Sequence, residues 1–156
     1  MVKRLDDDDF PELLDHIGVR LWRATALWKK EFDAGMIALG HPWFAHARSG
    51  LLAYLGRNGA RQAELAERAG LTKQAVQQFV DGLVADGAVE RVPDPGDARA
   101  KIVVFTAHGR RVLADANRVK RTIEADFRKR LGDADFERLF ETLNRLADNK
   151  SPRKRS

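Results

Sequence analysis

The chain has 156 residues, of which 44% are hydrophobic and 33% charged, enough for one small core with long solvated helix faces. It contains no Cys, which excludes disulfide staples, thiolate metal sites and thiol redox sensing. The net charge of +5 is weak support for a nucleic-acid partner, because Lys150, Arg153, Lys154 and Arg155 crowd the tail 149–156, and without them 24 basic residues face 23 acidic ones. No apolar run approaches a membrane span. The basic start Lys3-Arg4 is not followed by the apolar stretch of a secretory signal. The expectation is a cytoplasmic protein with no membrane partner.

The acidic run Asp6–Asp9 reads as a solvated leader. From Phe10 the apolar residues Phe10, Leu14, Ile17, Leu21, Ala24 and Trp28 fall at alternating steps of four and three, the seam of a helix that must be covered by another helix. Gly35 and Gly40 bracket its expected end. Pro42 suits the first turn of a second helix, with Trp43, Phe44, Ala47, Leu51, Leu52 and Leu55 as its stripe and Asn58-Gly59 as the closing turn. A short helix over 62–69 turns Leu65 and Ala66 inward and stops at Gly70. Thr72 caps a further helix that runs to about Asp86, with Val76, Phe79, Val80, Leu83 and Val84 inward and Gly87 beyond its end.

After Gly87 the period changes. Residues 89–92 alternate as a strand, Pro93-Asp94-Pro95-Gly96-Asp97 is dense in turn formers, and 101–105 is a β-branched and aromatic return strand. A hairpin with a tip of about eight residues is expected. Thr106 caps a long helix carrying Val112, Ala116, Val119, Ile123, Phe127 and Leu131, roughly 36 Å in length. Gly132-Asp133 breaks it, and a last helix presents Phe136, Leu139, Phe140, Leu143 and Leu146. The polar, basic tail from Asn149 is expected to be disordered.

Two helices joined by a tight turn and followed by a hairpin form a winged helix-turn-helix. The second helix of such a unit enters the major groove by its N-terminal end. That end carries Thr72, Lys73, Gln74, Gln77 and Gln78. Gln can pair bidentately with adenine, Lys can reach guanine or a phosphate, and the helix N-terminus attracts anions. The hairpin tip carries Arg99, a long cation able to enter a narrow minor groove, with Asp97 to hold it or to shape the tip and Lys101 toward phosphate. The segment 60–101 holds six basic and seven acidic residues, so an alternative remains open: a winged-helix module that binds protein and not DNA.

The stretches Gln62–Val76 and Gly87–Lys101, with the Asp97-x-Arg99-x-Lys101 tip, resemble the helix-turn-helix and wing of the MarR family. The junction Phe105-Thr106 followed by Gly109-Arg110 is similar too, and the match spans about Leu51 to Leu113. The resemblance implies a mainly α fold with a small β-hairpin wing, completed by interlocking dimerisation helices. It divides the chain into an N-terminal dimerisation helix (1–36), a DNA-binding winged helix-turn-helix (41–105), C-terminal dimerisation helices (106–148) and the basic tail (149–156). It further implies a homodimer on a pseudo-palindromic operator of double-stranded DNA, usually a repressor, released by a small aromatic or lipophilic effector. Many family members carry Ser or Thr and then Arg where this chain has Gln77 and Gln78, which removes an expected DNA contact.

Trp22, His41, Trp43, Phe44 and His46, with Arg48 as a carboxylate partner, are the residues proposed to line the effector pocket, although aromatic residues at helical spacing more often pack in a core or an interface. His41 and His46 lie five apart, off the spacing of a helical metal pair. No phosphate loop, nucleophile–base pair or metal constellation is present in the sequence, so no cofactor and no enzymatic activity are expected.

Overall fold

The computed structural model of the chain describes residues 14–147, so Phe10, the Asp6–Asp9 run and the basic tail lie outside the described residues. Its first helix, α1, spans Ile17–Ala38. It starts later than the apolar seam predicts. His16 is extended, which ends the helical register there, and Leu14 lies outside the helix and is 71% exposed. The seam positions Ile17, Leu21, Ala24 and Trp28 are not buried, whereas Phe32 and Met36, one and two turns further on, are. The helix runs through Gly35 and ends before Gly40, which adopts φ +85°. Gly35 is a close-approach site. A Cβ there would lie 2.5 Å from the Cγ1 of Val119 on a later helix.

The helix expected from Pro42 is instead two 3-10 segments, Pro42–Ala45 and Ala47–Tyr54. His46 between them is extended. The Ser49 hydroxyl donates to the carbonyls of Phe44 (2.6 Å) and His46 (2.9 Å), a local bond that competes with an α-helical ladder. The apolar stripe still reaches the core through Phe44, Leu51, Leu52 and Leu55.

Helices α2 (Gln62–Ala69) and α3 (Lys73–Ala85) follow the sequence reading closely. Gly70 takes the left-handed conformation at φ +64° and ends α2. The Thr72 hydroxyl accepts from the Ala75 N–H at 3.1 Å and starts α3. Leu65, Ala66, Val76, Val80 and Leu83 bury the facing sides.

The hairpin consists of β1 (Val89–Asp94) and β2 (Asp97–Phe105), antiparallel, in register from Val89↔Phe105 to Pro93↔Lys101. The strands extend further than predicted. After an irregularity at Pro93/Asp94, Asp94 faces Asp97 and only Pro95-Gly96 form the tip, replacing the expected eight-residue loop. The turn chemistry explains this, because the Asp94 carboxylate accepts the Gly96 N–H at 2.8 Å and closes the turn. Ala60 adds one bridge to Val103, exchanging bonds of 3.1 and 2.9 Å.

The long helix α4 (Ala107–Leu131) is capped by Thr106, whose hydroxyl accepts from Gly109 N–H and donates to the Gly87 carbonyl. A Cβ on Gly109 would sit 1.9 Å from the Ala88 carbonyl oxygen, so the wing base and α4 meet only through glycine. Val112, Ala116, Val119 and Ile123 complete the core. In α5 (Asp133–Ala147) Phe136 is buried, but Leu139, Phe140, Leu143 and Leu146 remain exposed.

Candidate nucleic-acid interface

The outward side of α3 follows from its inward one. With Val76, Val80 and Leu83 fixed in the core, helical periodicity places Gln74, Gln78 and Asp81 on the opposite surface and Gln77 at its edge, while Lys73 stands in the first turn, and all five are exposed. Thr72 is exposed at the N-terminal end, where its hydroxyl serves the cap. The unsatisfied N–H groups of that end add a partial positive charge beside the Lys73 ammonium. Among the described residues, the side chains of Lys73, Gln74 and Gln78 make no protein hydrogen bond or ion pair.

Gln77 differs from these three. Its carbonyl accepts from the Gln62 amide at 2.7 Å and its own amide donates to both Asp81 oxygens at 3.0 and 3.1 Å. Arg91 on β1 closes the circuit, donating to Gln62 at 3.0 Å and to Asp81 at 2.6 Å. Arg91, followed by Gln77, holds the Asp81 carboxyl below the ordinary carboxylate range. This circuit brings the outward face of α3 alongside the wing.

Just past the tip of the wing, at the start of β2, Asp97 shapes the backbone by accepting the Arg99 N–H at 3.1 Å. The Arg99 guanidinium is exposed and makes no hydrogen bond or ion pair among the described residues, and Lys101 is also exposed. Asp97 thus bonds the Arg99 backbone, not its side chain. The wing has a second tether at Arg61, the residue before α2. Its guanidinium bonds Asp94 at 2.6 to 2.7 Å and lies 3.7 Å from Asp97. The Gly96 N–H, followed by Arg61, lowers the Asp94 pKa from its ordinary value.

The six residues expected to line an effector pocket sit in different surroundings among the described residues. Trp22 is 77% exposed on α1 and His46 is exposed between the 3-10 segments. Arg48 bonds Asp86 through a two-pronged pair at 2.6 and 3.0 Å that lies across Gly82. His41 bonds Asp115 of α4 at 2.9 Å and, as the leading cause, lowers the Asp115 pKa. Trp43 and Phe44 join Phe32 and Trp28 in an aromatic cluster with ring centroids 5.0 to 5.5 Å apart. An apolar groove of about 390 Å³ lies between α1, α4 and α5 and is lined by Trp28, Phe127, Phe136, Leu139, Phe140 and neighbours.

Sequence reasoning missed Gln62, Asp81, Arg91, Arg61 and Asp94 as parts of this surface. Only Arg61 carried a usable signal, since Arg is an unfavourable residue to start a helix and has no acceptor for the free N–H groups.

Residues 46–100 match the MarR family. The transcriptional regulator HosA of Escherichia coli O127:H6 is 31% identical over 125 residues, covering 80% of this chain and 86% of HosA. The chain belongs to the MarR family. Among solved structures it is similar to the transcriptional repressor CouR bound to a 23-mer DNA duplex (26% identity, TM-score 0.68, 85% of this chain and 92% of that one). It is also similar to CouR from Rhodococcus jostii RHA1 bound to p-coumaroyl-CoA (25% identity, TM-score 0.67, 88% and 96%). As a MarR-family member the chain is a DNA-binding transcriptional regulator and not an enzyme. Its winged-helix fold, mostly helical with one antiparallel hairpin, is that of the family.

Proposed function

We propose that the protein is a cytoplasmic homodimeric repressor that binds a pseudo-palindromic operator and is released by a small aromatic or lipophilic effector. The observation that carries the DNA part is the surface formed by α3 and the wing. Lys73, Gln74 and Gln78 stand uncommitted beside a helix N-terminus, Gln77 lies among them, and Arg99 and Lys101 stand free on a hairpin tied to the same helix face. In this reading α3 reads the major groove, while Arg99 enters the minor groove and Lys101 meets phosphate. Two copies would set their α3 helices about 34–36 Å apart on successive major grooves.

The exposed apolar stripe of α5 and the unburied front half of α1 support the dimer reading, since a partner copy would cover them. Release by an effector rests on the family and on the aromatic residues Trp43 and Phe44 at the junction of α1 with the DNA-binding unit. Trp fluorescence during titration with phenolic acids and their thioesters tests this part.

The deciding experiment is fluorescence anisotropy with duplexes selected from a random library, against a scrambled duplex, at several salt concentrations. A preferred duplex, lost in Arg99→Ala and Gln74→Ala, supports the reading. Its affinity falls steeply as salt rises, because bound cations release the counterions of phosphate. The absence of a preferred duplex overturns the operator reading.

A further inference from the structure

The outward face of α3 is chemically divided, and the division turns on Gln77. A glutamine amide offers one carbonyl oxygen and one NH2 group. Reading adenine bidentately takes both, the oxygen accepting from the base N6 and the nitrogen donating to N7. In this protein the Gln77 oxygen is occupied by Gln62 at 2.7 Å, and its nitrogen is turned to the two Asp81 oxygens. The bonds run in one direction. Arg91 is the donor at the start, Gln62 and Gln77 each accept and pass a donor on, and the Asp81 carboxylate is the final acceptor. The direct bond from Arg91 to Asp81, 2.6 Å, closes the ring. Chains of this kind polarise each member in the same sense.

The ring joins three elements, since Gln62 opens α2, Gln77 and Asp81 belong to α3, and Arg91 lies on β1. It also cancels a local liability. Asp81 is a carboxylate on the helix face turned toward DNA in the proposed reading, and Arg91 supplies the compensating charge.

We infer that Gln77 is a positioning residue that fixes α3 against the wing through the Gln62–Gln77–Asp81–Arg91 ring, and that base reading belongs to Lys73, Gln74 and Gln78. This inference rests on the DNA-binding reading above. A Gln77 that reached into the groove would forfeit its bonds to Gln62 and Asp81, whereas Gln74 and Gln78 would forfeit no side-chain bond.

The test uses the full chain and its selected operator, together with every single-base-pair variant of that operator. Gln77→Ala, Arg91→Ala, the double variant, Arg91→Lys and Gln74→Ala are compared by anisotropy, with thermal melts to verify folding. Gln77→Ala and Arg91→Ala should weaken all duplexes by the same factor and preserve the order of preference. The double variant should bind no worse than the weaker single one, because both break one ring. Arg91→Lys, which retains the charge beside Asp81, should recover part of the loss. Gln74→Ala should flatten discrimination at one base pair, by about tenfold for a lost bidentate contact. The inference is overturned if Gln77→Ala erases the preference at one base pair and its effect adds to that of Arg91→Ala. A wild-type protein with no preferred duplex removes the operator reading itself, and the inference with it.

Discussion

The DNA-binding unit and the helical platform are built from the same kinds of apolar stripe but satisfy them differently. In the unit formed by the 3-10 segments, α2, α3 and the hairpin, the main inward side chains are covered within the chain, and Leu65, Val76, Val80, Leu83, Val89 and Val103 are nearly inaccessible. In the platform, α4 buries its first four stripe residues, while α5 leaves Leu139, Phe140, Leu143 and Leu146 between 40 and 66% exposed. The contrast separates the two duties of an apolar face. One closes a fold, and the other stays exposed, as the proposed dimer requires.

Leu83→Ala should break the closed half. Leu83 is 1% exposed in the middle of the core, and its truncation should cost about 2–5 kcal/mol in denaturant unfolding of the full chain. The open half should respond in the opposite way. Leu139→Glu with Phe140→Glu should leave the melting of the DNA-binding unit nearly unchanged, yet weaken the proposed self-association by roughly 100-fold or more in sedimentation equilibrium, on the transfer energy of two large side chains. Gly35→Ala addresses the seam between the halves. Its methyl would meet Val119 at 2.5 Å and should cost about 1–3 kcal/mol, with much of the loss recovered by Val119→Ala in the same chain.

The smallest effect is a pH dependence confined to the wing. The pKa of Asp94 is lowered in the fold, so its contribution is present above the ordinary carboxylate value near 4 and is lost as pH falls through the folded value. Thermal melts between about pH 5 and pH 3 should show that decline, and Arg61→Ala should make it shallower.

The parts of this architecture that were legible in the sequence are those decided by near neighbours. Thr72 and Thr106 announce caps because their hydroxyls meet N–H groups three residues away. Gly70 and Gly87 mark helix ends because only glycine takes their positive φ without cost. The start of α1 was misread because steps of four and three describe a seam without stating where the chain becomes helical. The wing tip was misread because Asp94 and Asp97, which look like loop residues, face each other across a Pro95-Gly96 turn. The state of Gln77 depended on Gln62 and Arg91, which lie 15 and 14 positions away. Arg48 and Gln77 likewise bond Asp86 and Gln62, partners distant in sequence that their residue types alone do not announce.

The helix α4 has a mechanical consequence. One end is fastened to the wing by Thr106 and by the contact of Gly109 with Ala88, and the other runs unbroken to the start of α5. A rod of 25 residues spans about 37 Å, so a tilt of about 5° at the platform would carry its far end through about 3 Å. That travel is comparable to the length of a hydrogen bond to a base. In the proposed dimer, that lever is long enough to turn a slight change in how two platforms sit together into loss of register on DNA.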